Sequence, residues 1–333
     1  MDISGCSVIF KRFFDETDRQ ADSLKSRFRR YVRLFGHDGA FRLYTKTAEG
    51  NIRWYMEIYG GALFVVIYGD RNDRIPEDIS AAFAEWFNRG PLIWGCRELT
   101  VQYRTKTDAV IIFRDDNTEP EITIRENGSR YLCSLSRGQN PGIFLDARNA
   151  REFIRLHSSG KRILNLFAYT CAFSVAAMQG GAGEVINVDM KMTFLRWGIE
   201  NHRLNRIHER GVRFEKLNVM KSFGRFERFG PYDMVICDPP PAQGKNFSGK
   251  KDFPRLIRRC SSLVRPGGLL IVLVNDKNAG EGYAWKLLQN VNSSAHGSAG
   301  RPVRFSPLVS VLPCEDFACD ETGTVTSVFI RVT

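Results

Sequence analysis

The sequence predicts an α/β protein, a doubly wound parallel sheet preceded by a smaller α+β domain. Three observations carry this. Residues 161–205 read in order as strand, turn, helix, glycines, strand and acid, which is a βαβ unit of the nucleotide-binding kind. Short apolar runs then keep alternating with amphipathic stretches as far as residue 274, the pattern of further βαβ units. Finally, the chain has 333 residues, and residues 115–120 (DDNTEP) are polar, acidic and end in proline. A boundary there gives an α+β domain over 1–118 and a parallel-sheet domain over 119–333.

In the central unit, residues 163–167 form a short apolar run suited to a buried parallel strand. Small and polar residues turn at 168–171, and 172–178 is short-chained and apolar, as a helix packed closely on a sheet requires. Gly180, Gly181 and Gly183 end it,. Residues 185–188 are the next strand, closed by Asp189.

Composition bounds the function. The 43% hydrophobic content supports a full core,. No apolar run reaches 18 residues, so no membrane span is expected, and the first twenty residues lack a signal-peptide pattern. A cytoplasmic location is expected. Eight scattered cysteines, Cys6, Cys96, Cys133, Cys171, Cys237, Cys260, Cys314 and Cys319, form no CxxC pair. They read as reduced, buried small hydrophobes, and no metal is expected. The net charge of +11 favours a polyanionic partner,.

Before the boundary, residues 1–16 read as a strand or arm. Residues 17–35 fit a helix, with Leu24, Phe28, Tyr31, Val32 and Phe35 on one face,. Its other face carries Lys25, Arg27, Arg29, Arg30 and Arg33, either a solvated face or a phosphate contact. Residues 41–44, 54–59 and 63–68 are aromatic and β-branched strands, with Gly60-Gly61 as a hairpin signal,. A helix opens near Pro76, and 99–103 and 109–114 are two more strands. Aromatics of this domain are core, or platforms on which bases stack.

After the boundary, 121–135 reads as a hairpin turning at Asn127-Gly128. An apolar run at 143–145 leads to a helix from about Asn149. Beyond the central unit come a helix over 192–204, strands at 212–217 and 232–237, and a helix over 253–263. Pro266-Gly267-Gly268 is a tight turn into the strand 269–274. Residues 283–290 read as helix and 291–301 as loop. Strands near 307–312 and 324–332 imply an antiparallel hairpin at one edge.

In a parallel sheet, ligands bind beyond the carboxyl ends of the strands. Four such ends are distinctive: Phe167–Thr170, Asp189, Asn218 and Asp238-Pro239-Pro240-Pro241. Asp189 is a ribose acceptor or a helix cap. Asn218 addresses an adenine edge or is a turn residue. Prolines directly after a strand hold a loop rigid, with Asp238 aimed into the crevice. There is no P-loop, and NLFAYTC stands where a dehydrogenase would carry GxGxxG,.

On these residues the chain resembles the class I S-adenosylmethionine-dependent methyltransferases, and within them the large-subunit rRNA group. LNLFAYT (164–170), VDM (188–190), ENHRLN (200–205), DPP (238–240) and GIFLDARNAR (142–151) carry the likeness. They look most like the guanine-N7 half of a bifunctional bacterial 23S rRNA enzyme. FRLY (41–44) is similar to the small domain that precedes that half. The resemblance implies a Rossmann-like methyltransferase domain that uses S-adenosyl-L-methionine. It implies that Phe167, Ala168, Tyr169 and Thr170 line the cofactor, with Asp146 approaching from the preceding loop. Asp189 would bind the ribose, Met190 pack on the adenine, and Asn218 stand where the family usually has Asp. Asp238, Pro239 and Pro240 would border methyl donor and target base. Cys171 replaces a usual Gly and is expected to narrow the turn. Pro241-Ala242-Gln243 departs from the family at an expected base contact.

The implied partner is RNA, 23S rRNA in particular. Guanine N7 is favoured because its lone pair needs no base, so positioning and electrostatics suffice. Cytosine C5 would need a nucleophilic cysteine, and residues 273–278 (LVNDKN) contain none. Lys245, Asn275 and Lys277 are candidate contacts to base or phosphate. A non-catalytic RNA-binding relative and a small-molecule or protein methyltransferase are the alternatives.

Overall fold

The structure is a computed structural model that describes residues 8–48, 51–70, 73–105, 108–114, 121–240, 242–243, 247–274, 305–311, 315–317 and 326–332. The chain divides into two compact units, Met1–Leu145 and Asp146–Thr333. The boundary read at 118/119 falls inside the first unit, just ahead of a hairpin.

The first unit opens with helix α1 (Val8–Arg19), where the sequence suggested a strand or arm. Phe10, Phe13, Phe14 and Thr17 are buried along one stripe. That i, i+3, i+4, i+7 spacing is helical and outweighs the β-preference of the individual aromatics. Gln20 interrupts the chain before α2 (Ala21–Phe35), so the single helix read over 17–35 is the end of one helix and the whole of another. Five strands follow: β1 (Ala40–Ala48), β2 (Asn51–Tyr59), β3 (Ala62–Tyr68), β4 (Glu98–Arg104) and β5 (Ala109–Arg114), paired in that order. Gly60 and Gly61 both take positive φ, 58° and 92°, as the turn between β2 and β3 requires. Helices α3 (Ile79–Arg89) and α4 (Pro91–Trp94) cross over between the parallel neighbours β3 and β4.

Phe13, Phe83 and Trp86 from the helices pack on Leu63, Val65 and Val101 of the sheet. Hairpin β6 (Ile122–Glu126) and β7 (Ser129–Cys133) turns at Asn127 and Gly128, as expected. The chain after it crosses the sheet's other face: Gln102 Nε2 donates to the Gly138 carbonyl at 3.0 Å, and Arg104 donates to that of Gln139. Tyr55 and Tyr59 are accordingly buried, and Trp54, on the opposite face, is buried against Phe13 of α1. They belong to the core and not to a base-stacking platform.

The second unit contains α5 (Arg148–Leu156), β8 (Arg162–Leu166), α6 (Ala172–Gln179), β9 (Glu184–Asp189), α7 (Met192–Leu204), β10 (Val212–Lys216), α8 (Phe223–Phe229) and β11 (Tyr232–Cys237). The short pair β12 (Ala242–Gln243) and β13 (Phe247–Ser248) leads to α9 (Gly249–Leu263), β14 (Val264–Val274), β15 (Phe305–Val311) and β16 (Thr326–Val332). The sheet order is β10-β9-β8-β11-β14-β16-β15. The first five strands are parallel, and β16 pairs antiparallel with both β14 and β15. This is the doubly wound sheet with an antiparallel edge that the alternation predicted. Strand order reverses between β8 and β11, the switch point at which such sheets form a crevice.

Alternation within the strands builds two cores. Leu164, Val188, Val235, Cys237 and Val272 face α8 and α9. Ile163, Val185, Met234 and Ile236, with Leu269, Ile271 and Leu273 of β14, face α5 and α6. Pro266–Gly268 is an excursion within β14, between Val264 opposite Tyr232 and Leu269 opposite Met234, with Gly267 at φ 79°. The helix read at 283–290, the loop at 291–301, and Cys6, Cys314 and Cys319 lie outside the described residues. Among the described residues no helix is long and apolar enough to cross a membrane, and no cluster of ligating side chains could hold a metal.

Candidate functional site

The site begins where β8 ends. Residues 167–171 turn back through three positive-φ positions that are not glycine: Phe167 at 57°, Tyr169 at 48° and Cys171 at 61°. Each such position costs about 1–2 kcal/mol for an ordinary residue, so the surroundings must hold the loop. Bonds to β9 and α7, and one across the loop itself, do so. Ala168 N donates to Val188 O at 3.0 Å, and Cys171 N to Ala168 O at 2.7 Å. Tyr169 N donates to Asp189 Oδ2 at 3.0 Å, and Asn201 Nδ2 to Thr170 O at 2.9 Å.

Asp189 Oδ1 accepts from Lys191 N at 2.9 Å, just ahead of α7. The carboxylate therefore ties the loop to the start of α7. Burial raises its pKa, while backbone N–H groups of Lys191 and Tyr169 oppose that rise. A carboxylate offers about four lone-pair sites. With the Met190 N–H also directed at the carboxylate, acceptor capacity remains for a ribose hydroxyl, so the residues fit an adenosine-bearing cofactor,. Phe167, Ala168 and Thr170 are buried, and Tyr169 and Met190 are half-buried at the rim. Asn218 is half-buried and its Oδ1 accepts from Lys221 N at 3.3 Å. It therefore serves as a turn residue. Beyond that bond it retains one acceptor site and two donors for an adenine edge.

Cys171 turns away from the crevice. A β-carbon placed on Gly198 of α7 would lie 2.4 Å from its Sγ, so the thiol fills the notch that this glycine leaves. The side chain expected to narrow the turn packs instead with Ala168 and Leu195.

A buried polar chain underlies the loop, and the sequence reading missed it. Asn165 Nδ2 donates to Asn187 Oδ1 at 2.9 Å, and Asn187 Nδ2 to Ser174 Oγ at 3.0 Å. His202 Nδ1 sits 2.7 Å from the Gly198 carbonyl and must donate to it, so Nε2 accepts from the Ser174 hydroxyl at 2.9 Å. Burial pulls the His202 pKa down and keeps the ring neutral. The available signal was an asparagine at the same position of two otherwise apolar strands, where Asn165 and Asn187 face each other.

Across the switch point, Asp238 leaves the tip of β11. Cys237 faces α9, so Asp238 projects on the opposite side, where α5 begins. Burial pushes the Asp238 carboxyl up to about 7, the Asp146 charge adds to the rise, and Arg151 opposes it. Asp146 sits in the short 3-10 turn Leu145–Ala147. Pro239 is buried and Pro240 half-buried. Pro241, Lys245, Asn275 and Lys277 lie outside the described residues. The predicted residues thus form two groups. Phe167–Thr170, Asp189, Met190 and Asn218 lie over β8, β9 and β10. Asp238–Pro240 and Asp146 lie over β11 beside them. Arg151 was not read from the sequence as part of this second group.

The profile of the S-adenosylmethionine-dependent methyltransferase family matches residues 74–297, and the chain belongs to that family. It is 37% identical over 227 residues to the ribosomal RNA large subunit methyltransferase K/L of Hahella chejuensis, covering 65% of this chain and 31% of that protein. It is 31% identical over 207 residues to the ribosomal RNA large subunit methyltransferase I of Aeromonas salmonicida, covering 60% of this chain and 50% of that one. The chain thus spans half or less of either relative. The crystal structure of SMU.776 complexed with SAH superposes with a TM-score of 0.80 at 22% identity, over 96% of this chain and 82% of that one, which establishes the shared fold.

Proposed function

We propose that this member of the S-adenosylmethionine-dependent methyltransferase family methylates a base of RNA, in particular of large-subunit rRNA, with guanine N7 as the favoured atom. The observation that carries the reading is the two-part crevice: Asp189 beneath the strained loop on one side of the switch point, and the Asp238-Pro239-Pro240 tip on the other. The similarity to rRNA methyltransferases and the net charge of +11 support RNA as the partner.

S-adenosylmethionine supplies a methyl group activated as a sulfonium. The chain's residues bind and orient. Asp189 accepts from the ribose hydroxyls, Phe167–Thr170 line the cofactor, and Met190 and Asn218 flank the adenine. Asp146, and Asp238 in its ionised form, would place negative charge near the sulfonium and the incoming base. Pro239 and Pro240 fix the backbone there without offering an N–H. An N7 lone pair needs no proton removed, so alignment is the main task. Cytosine C5 is disfavoured because Cys237 is buried against α9, on the face away from Asp238.

The test is transfer of tritiated methyl from S-adenosylmethionine to protein-free rRNA and to assembled subunits, followed by nucleoside mass spectrometry. Labelled 7-methylguanosine is expected. Labelled 5-methylcytidine would overturn the guanine assignment. Measurable cofactor binding without label in any RNA would overturn the RNA reading and favour a small-molecule or protein substrate.

A further inference from the structure

The sheet of the first unit carries cations on the face turned away from its helices. Trp54, Ile67 and Tyr103 point to the helices. Alternation therefore turns Arg53 and Tyr55 of β2, Tyr68 of β3, and Gln102 and Arg104 of β4 to the other face. Tyr68 pairs with Arg104. Trp54 stands opposite Ile67, so one step further along the strands Arg53 stands beside Tyr68. Three adjoining strands thus present arginine, tyrosine and arginine in a row. Tyr55 lies one position inward, with its ring 6.2 Å from that of Tyr68.

The charges in this corner do not balance. Among the described residues Glu57 is the acid that faces it, and its carboxylate is already committed. Arg42 donates to Oε1 from Nε at 3.0 Å and from Nη2 at 2.6 Å, and Tyr59 donates to Oε2 at 2.8 Å. Asp70 and Asp73, which follow β3, gather round the Tyr103 hydroxyl on the helix side. Arg104 is 8% exposed, and its hydrogen bonds go to neutral groups. Nε donates to Gln102 Oε1 at 2.5 Å, Nη1 to the Tyr68 hydroxyl at 3.5 Å, and Nη2 to the Gln139 carbonyl. Its guanidinium lies 5.8 Å from the Tyr55 ring centre and 6.0 Å from that of Tyr68. Ring faces attract a cation but bring no counter-charge. The Arg53 Nε is buried without a hydrogen-bond partner among the described residues. Burying cations without an anion is costly. Proteins carry such costs at sites where a ligand completes the arrangement.

The row is also graded in depth. Gln139 covers its β4 end, whereas Arg53 and Tyr68 are half-buried, so approach is from β2 and β3. A guanidinium fork matches two phosphate oxygens. The Tyr68 hydroxyl accepts from Arg104, which leaves its own proton to donate.

We propose that Arg53, Tyr68 and Arg104 form a phosphate-binding site of the first unit, which takes a phosphodiester of the RNA backbone. Arg53 supplies the fork, Tyr68 a further donor, and Arg104 charge from beneath. That the phosphate belongs to RNA rests on the function proposed above; that the site takes phosphate does not.

The experiment compares full-length wild type with Arg53→Gln and Arg53→Lys by two readouts. The first is affinity for protein-free rRNA over a range of salt. Arg53→Gln should weaken binding about three- to tenfold and reduce the slope of log affinity against log salt by about 0.7 to 0.9. Arg53→Lys should keep the slope, because it keeps the charge. The second readout is melting temperature in inorganic phosphate and in chloride at matched ionic strength. Phosphate should raise the wild-type value, as a ligand of the folded state does, and Arg53→Gln should lose that gain. In chloride Arg53→Gln should melt no lower than wild type, because the substitution relieves repulsion at the row.

An arginine that serves the fold alone would melt clearly lower in chloride when replaced, and that result would overturn the proposal. So would a phosphate gain equal in all three proteins, or an unchanged slope in Arg53→Gln when wild type binds rRNA. If wild type binds no rRNA, the RNA function fails and the phosphate comparison still decides the site. A gain kept by Arg53→Lys and lost by Arg53→Gln would then support the site and assign its phosphate to another source.

Discussion

Asp189 ties the 167–171 loop to the start of α7, and the proposed ribose contact should be separable from that role. Asp189→Asn keeps the size but has a single acceptor oxygen and no charge. Losing charge-assisted bonds to a ribose should weaken S-adenosylmethionine binding about 10- to 100-fold, measured by calorimetry. Unchanged affinity would show that the carboxylate serves the loop alone. Asp238 makes a pH prediction. Its folded pKa of about 7 lies above the ordinary carboxyl value, so between pH 4 and pH 7 the folded state holds more protons than the unfolded one. Stability from this group is therefore fully present at low pH and is lost as pH rises through 7. The fall in melting temperature from pH 5 to pH 8 should be smaller in Asp238→Asn than in wild type. Equal falls would mean that Asp238 titrates as an ordinary surface carboxyl.

Among elements, the contact between the 167–171 loop and α7 is the most sharply specified. A methyl on Gly198 would meet Cys171 Sγ at 2.4 Å, and overpacking of this kind costs about 1–3 kcal/mol. Gly198→Ala should lower the melting temperature by several degrees, and Cys171→Gly in the same chain should restore most of it. A double variant no better than Gly198→Ala would disprove the coupling. The strands and helices of the second unit were legible because each apolar run has its own period and its own stop, as at Asp189 and Asp238. The strand-tip residues were legible for the same reason. The polar chain through Asn165, Asn187, Ser174 and His202 was not, because its members come from four elements and only the sheet register brings them together. Arg151 escaped notice because one turn of helix carries it back to Asp238. In the first unit, α1 was hidden by phenylalanines whose local preference is for strand, until packing on Trp86 and Phe83 decided the matter.

For the whole molecule, charge is the testable property. Arg29, Arg30 and Arg33 lie on the exposed side of α2, whereas Arg27 donates to the Leu43 carbonyl at 3.1 Å and is partly committed to holding that helix on the sheet. Reversing Arg29, Arg30 and Arg33 to Glu should weaken RNA binding and reduce the slope of log affinity against log salt by about 2. An unchanged slope would remove α2 from the binding surface. Strand order has a consequence for synthesis. Residues Thr326–Val332 insert between β14 and β15, so a ribosome delivers an interior strand of the sheet after both of its neighbours. Until then the edge of β14, with its apolar run Leu269–Val274, stays unpaired, and open apolar edges recruit other chains. A stop codon anywhere between β15 and Thr326 would spare every residue that lines the proposed cofactor crevice. It should nevertheless yield aggregates in place of folded protein, because the edge of β14 would stay open.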